Sequence, residues 1–265
     1  MTEGRIRVGV GGWTFEPWEG TLYPDKLPKA RQLQHAAGAL TTIEINGTYY
    51  RTQTPPTFAK WAADTPDGFV FALKALRFTT NRRVLAEAGE SVGKFLASGL
   101  TELGPKLGPI LWQFAPTKKF ERDDFAAFLG LLPPDLEGVR LRHAVEVRHD
   151  SFRDPAFIDL CRDRGAAVVF ASSPDYPEIA DPTADFIYAR LQKSREDEPT
   201  GYAPTELDRW AEVCRSWARG EAPDGLVYAA APPARSGPRD VFCYFISGAK
   251  VRNPQAAMAL IERIP

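Results

Sequence analysis

Glu44, Lys74, Glu146, Arg148 and Arg190 are charged residues placed at alternate positions near the ends of short apolar runs. Side chains alternate along a strand, so residues two apart share a face. In residues 42–46, Ile43 and Ile45 form one face, and Glu44 and Asn46 form the other. In residues 144–149, Val145 and Val147 lie opposite Glu146 and Arg148. Val70, Ala72 and Lys74 share a parity, as do Leu111 and Gln113, and again Tyr188 and Arg190. A carboxylate pair such as Glu44 and Glu146 can divide acid and base work on a substrate between them. A glycosidase needs such a pair at a set separation. Lys74, Arg148 and Arg190, with Arg51 just past the second run, can hold a phosphate or carboxylate by charge-assisted hydrogen bonds. In the plainer alternative these cations simply neutralise the two glutamates. Lys74 has a further role open to it, as a Schiff-base nucleophile if burial lowers its pKa. That role ranks lower, because a lysine among glutamates keeps its charge.

The aromatic residues Trp13, Trp18, Tyr49, Tyr50 and Tyr202 can line a pocket or stack on a sugar or base, with ordinary packing as the competing reading for each. Metal chemistry has little to draw on. The histidines are His35, His143 and His149, with no zinc spacing among them, and nothing specifies a magnesium on Glu44 and Glu146. No cofactor motif is present, and no G-x-S-x-G nucleophile motif. The basic cluster Lys74, Arg77, Arg82 and Arg83 with Phe78 can touch nucleic acid, though such a run is more often a solvated face. A net charge of −1 gives no global drive toward nucleic acid or an anionic membrane. Three cysteines far apart in sequence, with no apolar stretch long enough for a leader or a membrane span, fit a cytoplasmic protein with free thiols.

The elements that must position these residues follow from the same pattern. Short apolar runs recur at residues 6–11, 42–46, 69–74, 110–114, 144–148, 167–171, 186–190 and 241–245. Each reads as a parallel strand buried on both faces. Between them lie helical stretches at 30–37, 57–63, 85–103, 123–131, 155–164, 204–219 and 254–263. Asp154-Pro155 and Asn253-Pro254 each place a capping residue before a proline at the first helical position. Only a Pro-rich turn, 172–185, fills the sixth interval. Strand and helix alternating about eight times predicts one α/β (β/α)8 TIM barrel domain spanning 1–265. A doubly wound open sheet is disfavoured because Gly9-Val10-Gly11-Gly12-Trp13 lacks the dinucleotide-binding spacing. The charged parity then points into the barrel at its C-terminal mouth, where barrel enzymes build their sites. The charged segment 193–203 reads as a mobile loop on that face. Residues 220–240, with Pro223, Pro232, Pro233 and Pro238, are the least regular stretch, and 227–230 within it offers a competing eighth strand.

Gly11-Gly12-Trp13, the run Glu44-Ile45-Asn46-Gly47-Thr48-Tyr49-Tyr50-Arg51, Phe71-Ala72-Leu73-Lys74 and Glu146-Val147-Arg148-His149 resemble the YecE-like family, domain-of-unknown-function family number seventy-two. Residues 186–191 (FIYARL) and 241–245 (VFCYF) extend the resemblance over nearly the whole chain. It implies the same kind of barrel and implies no particular activity. The chain departs from the family pattern on the presumed active face. Gln192-Lys193 stands where His-Gly is usual, and Ile246-Ser247 where Asn-Asn is usual.

The resulting expectation is an enzyme acting on a small anionic or sugar-like ligand by hydrolysis, elimination or isomerisation. Glu44, Glu146 and Lys74 are the catalytic candidates. Trp13, Asn46, Tyr49, Arg51, Gln113, Arg148, Arg190 and Tyr202 are the binding candidates, with no metal and no cofactor. The alternative is a non-catalytic module for a phosphorylated metabolite or nucleic acid.

Overall fold

The structure, a computed structural model, describes residues 3–231 and 237–264. Eight parallel strands follow one another round a ring: β1 (Ile6–Gly11), β2 (Thr42–Ile45), β3 (Val70–Lys74), β4 (Leu107–Gln113), β5 (His143–Glu146), β6 (Ala167–Val168 continued by Phe170–Ser172), β7 (Phe186–Leu191) and β8 (Asp240–Phe245). β1 pairs with both β2 and β8. The ring closes through β6, whose first part pairs with β5 and whose second part pairs with β7. Val169 at the break still donates its N–H to the Val145 carbonyl at 3.0 Å. The fold is an α/β TIM barrel. Gly9 shows how tightly the strands approach, since a Cβ there would lie 1.8 Å from the Thr42 carbonyl oxygen.

The two parities separate into two apolar layers. Val70, Ala72, Leu111, Ala144, Ala167, Val169, Phe186, Tyr188, Phe242 and Tyr244 fill the barrel interior. Ile43, Ile45, Phe71, Leu73, Ile110, Trp112, Val145, Ala189, Val241 and Phe245 face the helices instead. Fully burying one such large side chain stabilises by about 1.5–3 kcal/mol, so a one-residue slip of any strand would be strongly opposed. That pressure fixes which way Glu44, Lys74, Gln113, Glu146 and Arg190 point.

The helices in chain order are α1 (Lys29–Ala39), α2 (Gly47–Tyr50), α3 (Pro55–Ala63), α4 (Arg77–Thr80), α5 (Gly89–Leu96), α6 (Arg122–Gly130), α7 (Pro155–Arg164), α8 (Pro204–Ala218) and α9 (Asn253–Ile261). The sequence-predicted helix at 85–103 is broken. A turn at Leu85–Ala88 precedes α5, and Gly99, at φ 88°, stops the helix before Leu100–Lys106. Asp154 caps α7 as expected, accepting from the Ala156 N–H at 2.8 Å. Asn253 does not cap α9. Its Oδ1 accepts from Ser194 Oγ at 2.8 Å, and its Nδ2 donates to the Ser247 carbonyl at 3.1 Å.

Residues 227–230 form no strand, and β8 at Asp240–Phe245 takes the place in the ring. The Ala229 and Ala230 N–H groups donate to the Asp181 carboxylate. The described parts of this stretch, residues 220–231 and 237–239, follow α8 and lead into the start of β8, at the barrel's N-terminal end, opposite the mouth. Pro232 and Pro233 lie outside the described residues. The segment 193–203 is cross-braced where a mobile loop was expected. The Lys193 N–H donates to the Tyr202 hydroxyl at 2.9 Å, the Arg195 N–H to the Gly201 carbonyl at 2.7 Å, and the Arg195 guanidinium to Glu206.

Candidate functional site

At the C-terminal end of the ring, Arg190 joins the two glutamates predicted to face each other. Its Nε and Nη2 donate to Glu44 Oε2 and Oε1, both at 3.1 Å, and its Nη1 donates to Glu146 Oε2 at 2.5 Å. Arg148 donates to the other Glu146 oxygen from Nε at 3.0 Å and from Nη2 at 2.9 Å. Gln113 Oε1 accepts from Arg148 at 2.8 Å and from Arg190 at 3.3 Å. The Tyr188 hydroxyl donates to Glu44 Oε2 at 2.7 Å. Strands β2, β4, β5 and β7, with Arg148 just past the end of β5, thus meet in one closed network, and every carboxylate oxygen in it is engaged.

Lys74, at the end of β3, stands apart. Its Nζ makes no hydrogen bond or ion pair with another described residue and lies 4.1 Å from the centre of the Tyr49 ring. The Lys74 backbone is fixed, since Thr48 Oγ1 donates to its carbonyl at 2.7 Å. Exposure then decides what a ligand would meet. Glu44 and Glu146 have no exposed surface, whereas Lys74 and Gln113 are each 8% exposed and the Arg148 side chain 16%.

The electrostatics follow from burial and pairing. Burial opposes a charge on Arg190, but Glu146 and then Glu44 outweigh it and push its pKa upward. Burial would raise the Glu146 pKa, but Arg190, Arg148 and Lys74 together hold it below the usual carboxylate value. Lys74 has no such close partner. Burial first, and repulsion from Arg190 second, bring its pKa down to about 8, although Glu44 and Glu146 pull the other way. Burial, followed by the Glu44 charge, raises the Tyr188 pKa.

The remaining sequence-predicted binding residues divide. Asn46 is at the mouth, its Nδ2 donating to the Glu44 carbonyl at 3.4 Å. Tyr49 is there too, under Lys74. Trp13 packs edge-on against Trp61 and tilted against Phe71, partly buried on the outer apolar layer. Tyr202 is a buried residue of that same layer, with its ring edge-on to Phe245. Arg51 is exposed and makes no hydrogen bond or ion pair with another described residue.

His143 is buried and structural. It accepts from Trp112 Nε1 at 3.1 Å and meets the Pro133 carbonyl at 2.7 Å, and burial lowers its pKa. His149 accepts from the Ser151 N–H at 3.1 Å, while His35 is exposed. Arg77 stacks on Tyr50 and Phe78, both exposed aromatics, while Arg82 and Arg83 line a separate cleft of about 510 Å³ with Lys118 and Lys119.

Three residues at the site were absent from the sequence-based set. Tyr176, from the Pro-rich segment after β6, lies under Arg148 with its ring centre 4.2 Å from the guanidinium carbon. Tyr188 carries the parity of Arg190 and is its buried neighbour on Glu44. Gln192, two residues past Arg190 in sequence, is buried, and its Nε2 has no hydrogen-bond partner among the described residues. An orphaned amide of this kind calls for an explanation. Among the described residues no three His, Cys, Asp or Glu side chains are grouped to hold a metal, and no helix is long and apolar enough to cross a membrane.

Comparison with known proteins agrees with this architecture. The UPF0759 protein YunF of Bacillus subtilis (strain 168) is 24% identical over 159 residues, which are 58% of this chain and 54% of YunF. The match therefore spans only about half the length of that relative. The crystal structure of a DUF72 family protein (TM1631) from Thermotoga maritima MSB8 superposes with a TM-score of 0.69 at 22% identity, covering 98% of this chain and 97% of that one. A DUF72 family protein (EF0366) from Enterococcus faecalis V583 gives the same TM-score and coverage at 16% identity. Residues 7–265 match the family model described as "Protein of unknown function DUF72", and the chain belongs to that family, for which YecE-like is another name.

Proposed function

We propose that the chain is an enzyme acting on a small anionic substrate at the barrel's C-terminal mouth, with Lys74 as the group that acts on it. The observation that carries this reading is the Lys74 amine, which is buried and unpaired beside two carboxylates wholly engaged by arginines. Three cations, Lys74, Arg148 and Arg190, face two anions, Glu44 and Glu146, so the cluster keeps one surplus positive charge. A phosphate or carboxylate on the substrate would balance it, accepting from Lys74 and from the accessible edge of Arg148. The unpartnered Gln192 amide and the Gln113 amide suit the polar or sugar-like remainder of such a substrate.

In this reading the glutamates fix Arg190 and Arg148 in place and maintain the local field, and they do not themselves transfer protons. A lysine that titrates near 8 is suited to proton transfer or carbonyl chemistry around neutral pH, which favours a lyase or isomerase. Buried free thiols at Cys161, Cys214 and Cys243 support a reducing, cytoplasmic setting.

The test is calorimetric titration with inorganic phosphate and small carboxylates, alongside an activity screen of phosphorylated and carboxylated carbonyl compounds. Binding and turnover that both vanish in Lys74→Met support the reading, and full turnover in that variant sinks it. The complete pairing of both glutamates favours one second reading, a non-catalytic module for a phosphorylated metabolite. It predicts salt-sensitive binding with no turnover of any compound screened.

A further inference from the structure

We propose that Lys74 forms a covalent imine with a carbonyl carbon of its substrate, which makes the substrate class an anionic aldehyde or ketone. This rests on the mouth being the substrate site. An amine that attacks a carbonyl must be uncommitted to an acid and held in place, and Lys74 makes no ion pair or hydrogen bond with another described residue while its side chain is buried. No carboxylate takes up Nζ, because Arg190 engages both oxygens of Glu44 and shares Glu146 with Arg148. The Lys74 backbone is tied to Thr48 through its carbonyl, and burial of the side chain limits the room in which it can move. The Tyr49 ring covers one side of Nζ, and the residue keeps 8% of its surface exposed at the C-terminal end of β3.

With the pKa near 8, about a tenth of the amine is neutral at pH 7. An ordinary lysine would be neutral only in the order of a few parts per ten thousand. Burial first and then Arg190 depress the pKa, and Arg190 with Arg148 also provides positive charge for the substrate's anionic end.

The step balances without another reagent. The Nζ lone pair forms the C–N bond as the carbonyl π pair moves onto oxygen. That oxygen takes one proton from nitrogen to give a carbinolamine. The nitrogen then forms the C=N bond, its second proton leaves with the hydroxyl, and one water departs. Protonated from solvent, the imine withdraws electrons from the adjacent carbon. Loss of a proton or a carbon–carbon bond cleavage there becomes accessible, which is lyase or isomerase chemistry.

The experiment is reductive trapping of the full-length protein. Glyoxylate, pyruvate and dihydroxyacetone phosphate are each added with sodium borohydride, acetone serves as the uncharged control, and peptide mass mapping locates the adducts. The expected result is a stable adduct on Lys74 with at least one anionic carbonyl, about tenfold above that on the exposed Lys29 and absent in Lys74→Arg. Lys74→Arg keeps the charge, and its melting temperature shows whether it is folded. Lys74→Met serves in its place if it is not. Adducts spread evenly over exposed lysines overturn the proposal. So does the absence of a Lys74 adduct when phosphate or carboxylate titration still shows binding lost in Lys74→Met, in which case the anion site stands without the imine. Absence of both binding and adduct overturns the imine and the site reading together.

Discussion

Arg190 and Glu44 meet in a parallel two-point contact inside the barrel, Nε to Oε2 and Nη2 to Oε1, each at 3.1 Å. The pair spans from β7 to β2, and Arg190 also reaches Glu146 on β5, so three strands depend on one guanidinium. Removing one member of a buried pair leaves an uncompensated charge, which typically costs about 3–5 kcal/mol. Arg190→Met is therefore expected to lower stability by roughly that amount in urea denaturation at neutral pH. A loss below about 1 kcal/mol would mean that the network carries little of the fold.

Lys74 is expected to behave in the opposite way. Its native pKa of about 8 lies below the ordinary 10.5, so below pH 8 both folded and unfolded chains carry the charge and the native state bears its full cost. Between pH 8 and 10.5 the unfolded chain holds the extra proton, so stability rises with pH across that window. Lys74→Met should be more stable than the parent at pH 7, by on the order of 2–3 kcal/mol, with the gain fading as pH climbs toward 10.5. Denaturation curves for both proteins across that range check the sign. A variant less stable than the parent at pH 7 would make Lys74 a structural member of the network.

Glu146 supplies the acid limb. Its native pKa is held below the ordinary 4.5, so its contribution is fully present above that value and is lost as pH falls through the native one. The stability difference between the parent and Glu146→Gln should be constant near neutrality and shrink below pH 4.5. A difference that does not change with acid would show that Glu146 is not held ionised by Arg190 and Arg148.

Gln192 separates binding from stability. Its buried Nε2 donates to no other described residue, so Gln192→Leu removes an unsatisfied donor and leaves stability unchanged or slightly raised. If that donor serves the ligand, affinity for the substrate anion falls about tenfold, worth about 1.4 kcal/mol. Unchanged affinity would remove Gln192 from the site.

The barrel was legible in the sequence because the strands are apolar on both faces, with Glu44, Lys74, Gln113, Glu146 and Arg190 all on the inward parity. The same rule anticipated that Glu44, Gln113, Glu146, Arg148 and Arg190 would come together, which the hydrogen bonds among them show, with Lys74 at the end of β3 beside them. What it could not convey is who pairs with whom. Parity along a strand says nothing of reach across the ring, so the arginines' complete engagement of both glutamates, and the isolation of Lys74, emerge only in three dimensions. Tyr176 was missed because it sits in an irregular Pro-rich segment where no periodicity applies. Tyr202 was misplaced because a loop aromatic near the mouth in sequence was pulled instead into the layer beneath α8, against Phe245. Gln192 was visible as a departure from the family pattern, but its unsatisfied amide was not.

The central claim, that Lys74 is a buried amine with no hydrogen-bond or ion-pair partner among the described residues, is tested most directly by titrating it. In protein labelled with 15N at the lysine side chains, the Lys74 signal is assigned by its absence in Lys74→Met and followed with pH. A midpoint near 8 is the predicted result. A midpoint at the ordinary 10.5 or above would show that the glutamates keep the lysine charged, and would contradict its role as the reacting group.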